Sequence, residues 1–355
     1  MKKKAALYDP YLDVLGGGEK HILSILQVIE QNGFEASVFW NKDLGELIKT
    51  KLNLNFTDLH FRPNIFQSSS FLKKLSELKT YDILLYVTDG SYFFSSAKKN
   101  VIFCMVPNKK LYSLNPLNRM KMINAKFISN SFYTHKWLSK WSIQSQIIYP
   151  YVSDDLLSID LGRKKERIIL SVGRFFGHLH SKKHSFIVDT FNKFQKKEPE
   201  FKLILVGGLK KEDETYFNDL KTITLNNKNI VLEPNLSYTK LLEHYRKAMF
   251  FWHFTGFGTD ENKQPERVEH LGMTPLEAMA AGSIPFCFNA GGPRELIKEG
   301  HNGYLFNTQN EVIQKTNALI FDEQKYKTMQ KNGKNFVSKH FSYELFKTRV
   351  EKILL

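Results

Sequence analysis

The segment EHLGMTPLEAMAAG, residues 269–282, places two carboxylates eight residues apart around a glycine. Glu269 precedes a predicted helix, Gly272 stands near its N-terminus, and Glu277 lies inside it. Eight helical residues span about 12 Å, comparable to a diphosphate with a sugar at each end. Each carboxylate could accept hydrogen bonds from paired sugar hydroxyls, while the helix N-terminus between them holds phosphate. A glutamate in this apolar helix is costly to bury without such a partner, and an exposed position is the alternative.

A second segment, SVGRFFGHLHSKKH, is suited to bind an anion. Arg174 follows a predicted strand, and Lys182 and Lys183 precede the next helix. A guanidinium and an ammonium that converge across a loop suit a pyrophosphate. A metal site is the alternative, because histidines also occur here at spacings that a metal could use. They are His178, His180 and His184.

A glycine triplet, residues 16–18, follows the first predicted strand and opens the first helix. There the backbone amides and the positive end of the helix dipole can face a phosphate, with no Cβ in the way. A tight structural turn is the alternative interpretation.

Alternating strands and helices must position these residues. Short apolar runs alternate with amphipathic stretches almost from end to end, which is typical of parallel sheets covered by helices on both faces. The first half has a predicted helix over 18–32 and the strands KAALYD, ASVFW, DILLYV, NVIFCMV and AKFIS. The second half has predicted helices over 183–196, 237–246 and 274–281 and the strands RIILSVG, FKLILVGG, NIVLE, AMFFWHF and SIPFCFN.

Two domains follow from this pattern. The proline of IIYPYV and the polar stretch after it mark a boundary, so we predict domains over 1–160 and 161–337. An amphipathic helix over 338–355 is expected to pack back on the first domain. Ligands of doubly wound sheets bind at the carboxyl ends of the strands, so the expected site is a cleft between the domains.

Composition excludes several classes of protein. The 355 residues carry 51 basic and 36 acidic side chains and are 42% hydrophobic, which is typical of a globular chain. The longest apolar runs are too short to span a membrane. No signal peptide is recognisable, so we expect a cytoplasmic protein. Cys104 and Cys287 lie in apolar strands, which indicates buried, reduced thiols.

The chain resembles retaining glycosyltransferase family 4. The segment from Trp252 to Phe306 is similar to the donor-binding core of that family, with its E-x7-E, GG-x-x-E and NG-x-L-F motifs. Further family-like segments follow in the family's order, namely GGGEKH, SNSFYTHKWL, IIYPYV, SVGRF and LILVGG. The resemblance implies the α/β fold called GT-B, with two Rossmann-like domains and a C-terminal helix that crosses back. By the same resemblance, the acceptor site would lie in the first domain and the nucleotide-sugar site in the second.

The resemblance also implies residue roles. Arg174 and Lys182 would hold the donor diphosphate and stabilise it as a leaving group, Lys182 in preference to Lys183. Glu277 would bind the ribose hydroxyls and Glu269 the transferred sugar. Departure of the diphosphate needs electrostatic stabilisation more than a protein nucleophile. Transfer with retention at the anomeric carbon is expected, to a glycan or lipid-linked acceptor.

Backbone groups complete the implied donor site. Gly272, Met273 and Thr274, with Gly17 and Gly18 from the first domain, would approach the phosphates. Neither a cofactor nor a metal is expected, because Arg and Lys can bind the phosphates and no Asp-x-Asp pair occurs in the chain. One departure concerns Met105, which stands where many members have a histidine that touches the donor sugar. A different sugar preference, a substitute such as Asn108, or a weakened enzyme could follow.

Three other functions are alternatives to a transferase. A sugar-nucleotide epimerase can have the same architecture, although the E-x7-E block argues against it. A non-catalytic sugar-nucleotide-binding homologue is consistent with Met105. Nucleic-acid binding would explain the basic charge, but no helix-turn-helix, zinc-finger or RRM-like motif is present, so we expect no nucleic-acid partner.

The location of the basic excess is informative. About two-thirds of the net charge of +15 falls in residues 62–140. Within them, bases alternate with apolar side chains over Lys109–Lys126, as in a segment that rests on an anionic bilayer. An ordinary covering helix is the alternative, and residue bias explains the remaining charge. We therefore expect a cytoplasmic enzyme with a peripheral contact to the membrane.

Overall fold

The computed structural model describes residues 2–113, 115–177 and 181–355, and of Ser68 only the backbone. The chain divides into two compact units. The first comprises Met1–Pro150 together with Glu344–Leu355, and the second comprises Tyr151–Tyr343.

The first unit contains a sheet of seven parallel strands in the order β3-β2-β1-β4-β5-β6-β7. The strands are β1 (Lys4–Tyr8), β2 (Glu35–Phe39), β3 (Leu59–Arg62), β4 (Ile83–Val87), β5 (Lys99–Cys104), β6 (Ala125–Ser129) and β7 (Ser145–Ile147). The helices are α1 (Gly17–Gln31), α2 (Gly45–Leu52), α3 (Ile65–Ser68), α4 (Phe71–Leu78), α5 (Pro116–Lys121) and α6 (Phe132–Lys140). The central strands are buried on both faces, which explains their continuous apolar runs.

The second unit contains a sheet of six parallel strands in the order β10-β9-β8-β11-β12-β13. They are β8 (Glu166–Val172), β9 (Lys202–Gly207), β10 (Ile230–Pro234), β11 (Ala248–His253), β12 (Ile284–Phe288) and β13 (Tyr304–Phe306). The helices are α7 (Asp154–Leu157), α8 (His184–Gln195), α9 (Glu214–Thr224), α10 (Tyr238–Lys247), α11 (Met273–Ala280), α12 (Pro293–Leu296), α13 (Gln309–Ile320) and α14 (Glu323–His340). Aromatic side chains such as Phe250, Trp252 and Phe286 fill its core. The predicted α/β class, with two doubly wound parallel sheets, is confirmed.

Each sheet has a point at which the strand order reverses. In the first unit it lies between β1 and β4, and in the second between β8 and β11. Ligands of such sheets bind at the carboxyl ends of the strands that flank this point. In the second unit, Arg174 lies just after the carboxyl end of β8, and His253 is the last residue of β11.

The C-terminal segment differs from its prediction. The expected single helix over 338–355 is wrong at its start, because residues 338–340 belong to α14 and a separate helix, α15 (Tyr343–Leu354), follows. Within the first unit, the ring of Phe346 lies 5.9 Å from that of His21, and Lys99 Nζ donates to Leu354 O at 3.3 Å.

The boundaries between the two compact units follow Pro150 and Tyr343, and the predicted domain boundaries follow residues 160 and 337. Residues 151–160 group with the second unit because α7 packs against α11 and α14. Lys334 Nζ in addition donates to the carbonyl of Ile159. Cys104 and Cys287 are buried free thiols, as predicted. None of the helices in the described ranges combines the length and the apolar composition that a bilayer span needs.

Candidate donor-binding site

Lys182, Glu269 and His253 form a cluster of charged and polar side chains at the carboxyl edge of the second sheet. Lys182 Nζ lies 2.7 Å from Glu269 Oε2, and His253 Nε2 lies 2.9 Å from the same oxygen. The side chain of Lys182 is 15% exposed and that of Glu269 is 17% exposed, while His253 is buried. Glu269 Oε2 therefore accepts hydrogen bonds from two side chains, Lys182 before α8 and His253 at the end of β11. Solvent still reaches the side chains of Lys182 and Glu269.

The local chain explains why Lys182 reaches this position. It stands before α8, and its aliphatic stem crosses directly over Gly173, the residue that follows β8. A Cβ at residue 173 would collide with Lys182 Cγ, so a larger residue there would displace the ammonium. The sequence motif that supplies Arg174 thus also makes room for Lys182.

Electrostatics fixes the charge states in the cluster. Burial raises the pKa of the Glu269 carboxyl, but the Lys182 ammonium and the hydrogen bond from His253 outweigh it and hold the pKa well below its usual range. Burial lowers the pKa of His253 below its ordinary value, against the opposing effect of Glu269. The imidazole is therefore neutral at pH 7, and its Nε2–H donates to the ionised carboxylate.

Glu269 lies in the loop before α11 and not on the helix. Gly272 caps that helix with φ +108°, a left-handed conformation that favours glycine. Only the part from Gly272 to Glu277 is helical, and it rises about 7.5 Å, so the estimate of about 12 Å for eight helical residues does not describe this segment. Gly292 N donates to Glu269 O at 2.8 Å and fixes this loop.

The first turn of α11 presents backbone donors beside the cluster. Met273 and Thr274 are its first residues, and both are half-buried. By helix geometry, their N–H groups have no acceptor within the helix, and they carry the positive end of its dipole. This turn can accept a phosphate next to Gly272 and Glu269.

Glu277 is half-buried in α11 and has a partner inside the protein. Tyr245 Oη, on α10, donates to Glu277 Oε2 at 2.6 Å. Burial together with the charge of Glu277 raises the pKa of Tyr245 well above its usual value, so the phenol stays protonated. A tyrosine therefore already provides a hydrogen-bond partner for this carboxyl group inside the protein, and the predicted contact with sugar hydroxyls stays a prediction.

Arg174 and Lys183 occupy contrasting environments. Arg174 is exposed just after β8, with its guanidinium carbon 4.7 Å from the centre of the Phe176 ring. Lys183 precedes α8 in a left-handed conformation, φ +58°, and burial together with Arg267 lowers its pKa. The cation that pairs with Glu269 is Lys182.

The glycine triplet lies in the first unit, where it begins α1. Gly16 N donates to Glu19 Oε2 at 2.7 Å, which caps the helix. A Cβ at Gly18 would collide with Met105 Sδ, so a close approach within the protein already requires this glycine. At Gly17 no described atom lies within 4 Å of a Cβ, and packing does not explain that residue.

The three histidines of the alternative metal site are only partly described. His184 is fully buried, stacks on Phe175 at 4.9 Å and contacts Tyr216 Oη through Nδ1 at 3.1 Å. His178 and His180 lie outside the described residues. Within the described residues, no group of three or more His, Cys, Asp or Glu side chains could hold a metal ion.

Sequence reasoning assigned no role to His253 or Tyr245. A signal existed for His253, since it is a polar residue at the carboxyl end of the apolar run AMFFWH. Tyr245 gave none, because an amphipathic helix often has a tyrosine on its buried side.

The sequence of the second unit matches a known protein family. The sequence model of the family described as "Glycosyl transferases group 1" matches residues 155–336, just over half of the chain. The chain belongs to this family. The predicted family resemblance is thereby confirmed.

Curated relatives match parts of the chain. A mouse protein named GDP-Man:Man(3)GlcNAc(2)-PP-Dol alpha-1,2-mannosyltransferase is 26% identical over 64% of this chain and 48% of its own length. The alpha-1,3/1,6-mannosyltransferase ALG2 of Dictyostelium discoideum is 39% identical over 24% of this chain and 21% of its own. The chain thus spans about half or less of the length of these relatives.

Solved structures match the whole chain in fold. Anabaena HepE in complex with UDP has a TM-score of 0.72 at 16% identity, over 99% of both chains. A glycosyltransferase from Rickettsia africae has a TM-score of 0.75 at 16% identity, over 99% of this chain and 98% of its own. The predicted GT-B fold is confirmed by this likeness.

Proposed function

We propose that the protein transfers a sugar from a nucleoside-diphosphate sugar to a glycan or lipid-linked acceptor, with retention at the anomeric carbon and without a metal ion. The observation that carries the proposal is the Lys182–Glu269 ion pair beside the glycine cap of α11. An ammonium and a helix N-terminus at the reversal point of a parallel sheet form a site for a diphosphate.

Lys182 acts on the leaving group. Of the three N–H donors of its ammonium, one is directed at Glu269. The others can bind the diphosphate as negative charge develops on it, and Arg174 adds a second cation from the end of β8. Glu269 holds the ammonium in place and accepts hydrogen bonds from the transferred sugar, while neutral His253 orients the carboxylate.

Glu277 binds the nucleoside. Tyr245 orients its carboxyl group, whose oxygens can accept hydrogen bonds from a ribose diol. Gly272, Met273 and Thr274 contribute backbone N–H groups to the phosphates. Both relatives are named as mannosyltransferases, which supports a hexose donor, and the name of the mouse protein contains PP-Dol, which supports a lipid-linked acceptor. The proposed place of the reaction is the cytoplasmic face of a membrane.

A nucleotide sugar that binds is expected to raise the unfolding temperature. At a concentration of about 100 times its Kd, a ligand stabilises the folded state by about 2.7 kcal/mol. We expect one of the UDP-, GDP- and ADP-sugars to raise the midpoint by several degrees, and Lys182→Ala to lose most of that shift. Lys228→Ala, at an exposed lysine of the second unit, is the control.

Product analysis of the same samples separates the alternatives. A stabilising donor without transfer or hydrolysis would favour a non-catalytic homologue, for which Met105 beside Gly18 is the supporting observation. Conversion of the free nucleotide sugar into its epimer would favour an epimerase. If none of these nucleotide sugars stabilised the protein, the proposed donor site would be wrong.

Transfer is expected to survive removal of divalent metal ions. Lys182 and Arg174 supply the positive charge that a metal would otherwise bring to the diphosphate. The rate with EDTA should equal the rate before chelation within experimental error. A loss of activity that Mg²⁺ or Mn²⁺ restores would contradict the metal-independent mechanism.

A further inference from the structure

One face of the first unit is strongly basic. Residues 90–153 contain nine lysines and arginines and neither aspartate nor glutamate. This stretch includes β5, α5, β6, α6 and β7, whose strands form one edge of the sheet. The charge is therefore concentrated on one part of the molecule and not spread over its surface.

A basic depression lies in this stretch. It has a volume of about 830 Å³ and includes Lys109, Lys110 and Lys140 among its lining residues. Each of the three lysines is exposed, and no ion pair neutralises them among the described residues. Such a depression is suited to a phosphate group that several ammonium groups reach at once.

Aromatic rings form the wall of the depression. Trp141 lines it, with its ring 6.3 Å from that of Tyr112 and 5.9 Å from that of Trp137. Lys140 Nζ lies 3.9 Å from the centre of the Trp137 ring. Rings with a polar edge favour the interface between lipid headgroups and acyl chains.

Apolar side chains project from α5 beside the depression. Leu117 is 52% exposed, Met120 is 60% exposed, and Ile123, just after the helix, is 81% exposed. The opposite side of the helix is anchored, because Asn118 Nδ2 donates to Ser113 O at 2.9 Å and Met122 packs into the core. These three side chains, at a spacing of three residues, form an apolar strip next to the bases.

We infer that this face docks on an anionic lipid bilayer, with a headgroup phosphate in the depression at Lys109, Lys110 and Lys140 and the Leu117–Ile123 strip inserted among the acyl chains. Charge complementarity selects the anionic surface, and exposed aliphatic side chains distinguish a bilayer from a nucleic acid, which binds by stacking and phosphate contacts. The inference deepens the proposed function and rests on it, since docking brings the enzyme to a lipid-linked acceptor.

Vesicle co-sedimentation tests this docking. We expect the protein to bind vesicles of phosphatidylcholine with about one-third phosphatidylglycerol, to bind pure phosphatidylcholine weakly, and to be released by high salt. The triple variant Lys109→Glu/Lys110→Glu/Lys140→Glu should lower the partition coefficient at least about tenfold. The matched control is Lys196→Glu/Lys197→Glu/Lys228→Glu, which makes the same charge change at exposed lysines of the second unit.

A second variant tests the apolar strip. Leu117→Ser/Met120→Ser leaves the charge unchanged and should lower binding to anionic vesicles, most clearly at intermediate salt, where insertion contributes more than attraction. Unfolding midpoints verify that each variant is folded. Equal losses in the basic-face triple variant and its second-unit control, or no binding by the wild type, would overturn the inference.

Two further measurements separate membrane docking from nucleic-acid binding and from the transfer reaction. Tighter binding to an oligonucleotide than to anionic vesicles at the same salt would assign the face to nucleic acid and overturn the inference. Vesicle binding needs no nucleotide sugar, so its failure leaves the transfer reaction standing. A wild type that binds vesicles but neither binds nor turns over any donor would refute the proposed function alone.

Discussion

Lys182→Ala is expected to lower kcat/KM for transfer by about 10²- to 10³-fold, the usual cost of losing one preorganised group that stabilises developing negative charge. The effect should appear in both KM and kcat, because the ammonium binds the donor diphosphate and also stabilises the charge that develops as the diphosphate departs. Initial rates at varied donor concentration measure both kcat and KM. Arg174→Ala should act in the same direction.

The neighbouring lysine provides a matched control for this variant. Lys183→Gly removes a cation one residue away and also relieves a left-handed backbone conformation, so the fold should remain stable. It should retain most of the wild-type activity. If Lys183→Gly were as inactive as Lys182→Ala, a general basic loop would account for the rates better than an assigned Lys182.

Lys182→Ala is also expected to change how the free energy of unfolding depends on pH. The pKa of Glu269 in the folded protein lies below its unfolded value, so this group stabilises the fold above the ordinary carboxyl pKa and loses that contribution as the pH falls. Without the Lys182 ammonium, the folded pKa of Glu269 rises, and the acid-dependent loss of unfolding free energy becomes smaller. If the Lys182–Glu269 pair were only structural, Lys182→Ala would change this pH profile and leave kcat/KM unchanged.

The main features of the fold could be predicted because doubly buried strands give continuous apolar runs. Among the strands that the sequence did not predict, β3 and β7 have no such run. β3 reads LHFR and β7 reads SQI, and both lie at the edges of the first sheet, where one side has no neighbouring strand. Edge strands tolerate mixed polarity, so their composition alone does not predict them.

The site was predictable where residue type and motif coincide, and less so where its geometry depends on distant packing. Lys182 and Glu269 follow from charge and spacing, but their contact depends on how Gly173 and the loop before α11 are placed. His253 joins them only because β11 lies next to β8 in the sheet. The approach of Met105 to Gly18 similarly depends on the order of strands in the first unit.

Glu277→Ala is expected to weaken donor binding by at least about 100-fold, because each hydrogen bond to a charged acceptor contributes about 1.5 to 3 kcal/mol and the ribose diol would lose two. The loss should appear in the Kd of the nucleoside diphosphate selected by the stability screen, measured by calorimetry. Inorganic diphosphate lacks the ribose, so its affinity should be unchanged in this variant and reduced in Lys182→Ala.

Tyr245→Phe separates nucleoside binding from a structural role of Glu277. This variant removes the hydroxyl that donates to Glu277 Oε2 at 2.6 Å but keeps the carboxylate. If Glu277 contacts the ribose, Tyr245→Phe should weaken binding of the nucleoside diphosphate much less than Glu277→Ala, because only the orientation of the acceptor is lost. If the Tyr245–Glu277 pair is purely structural, both variants should lower the unfolding midpoint alike and leave nucleoside diphosphate binding intact, and the assignment of Glu277 to the ribose would then be wrong.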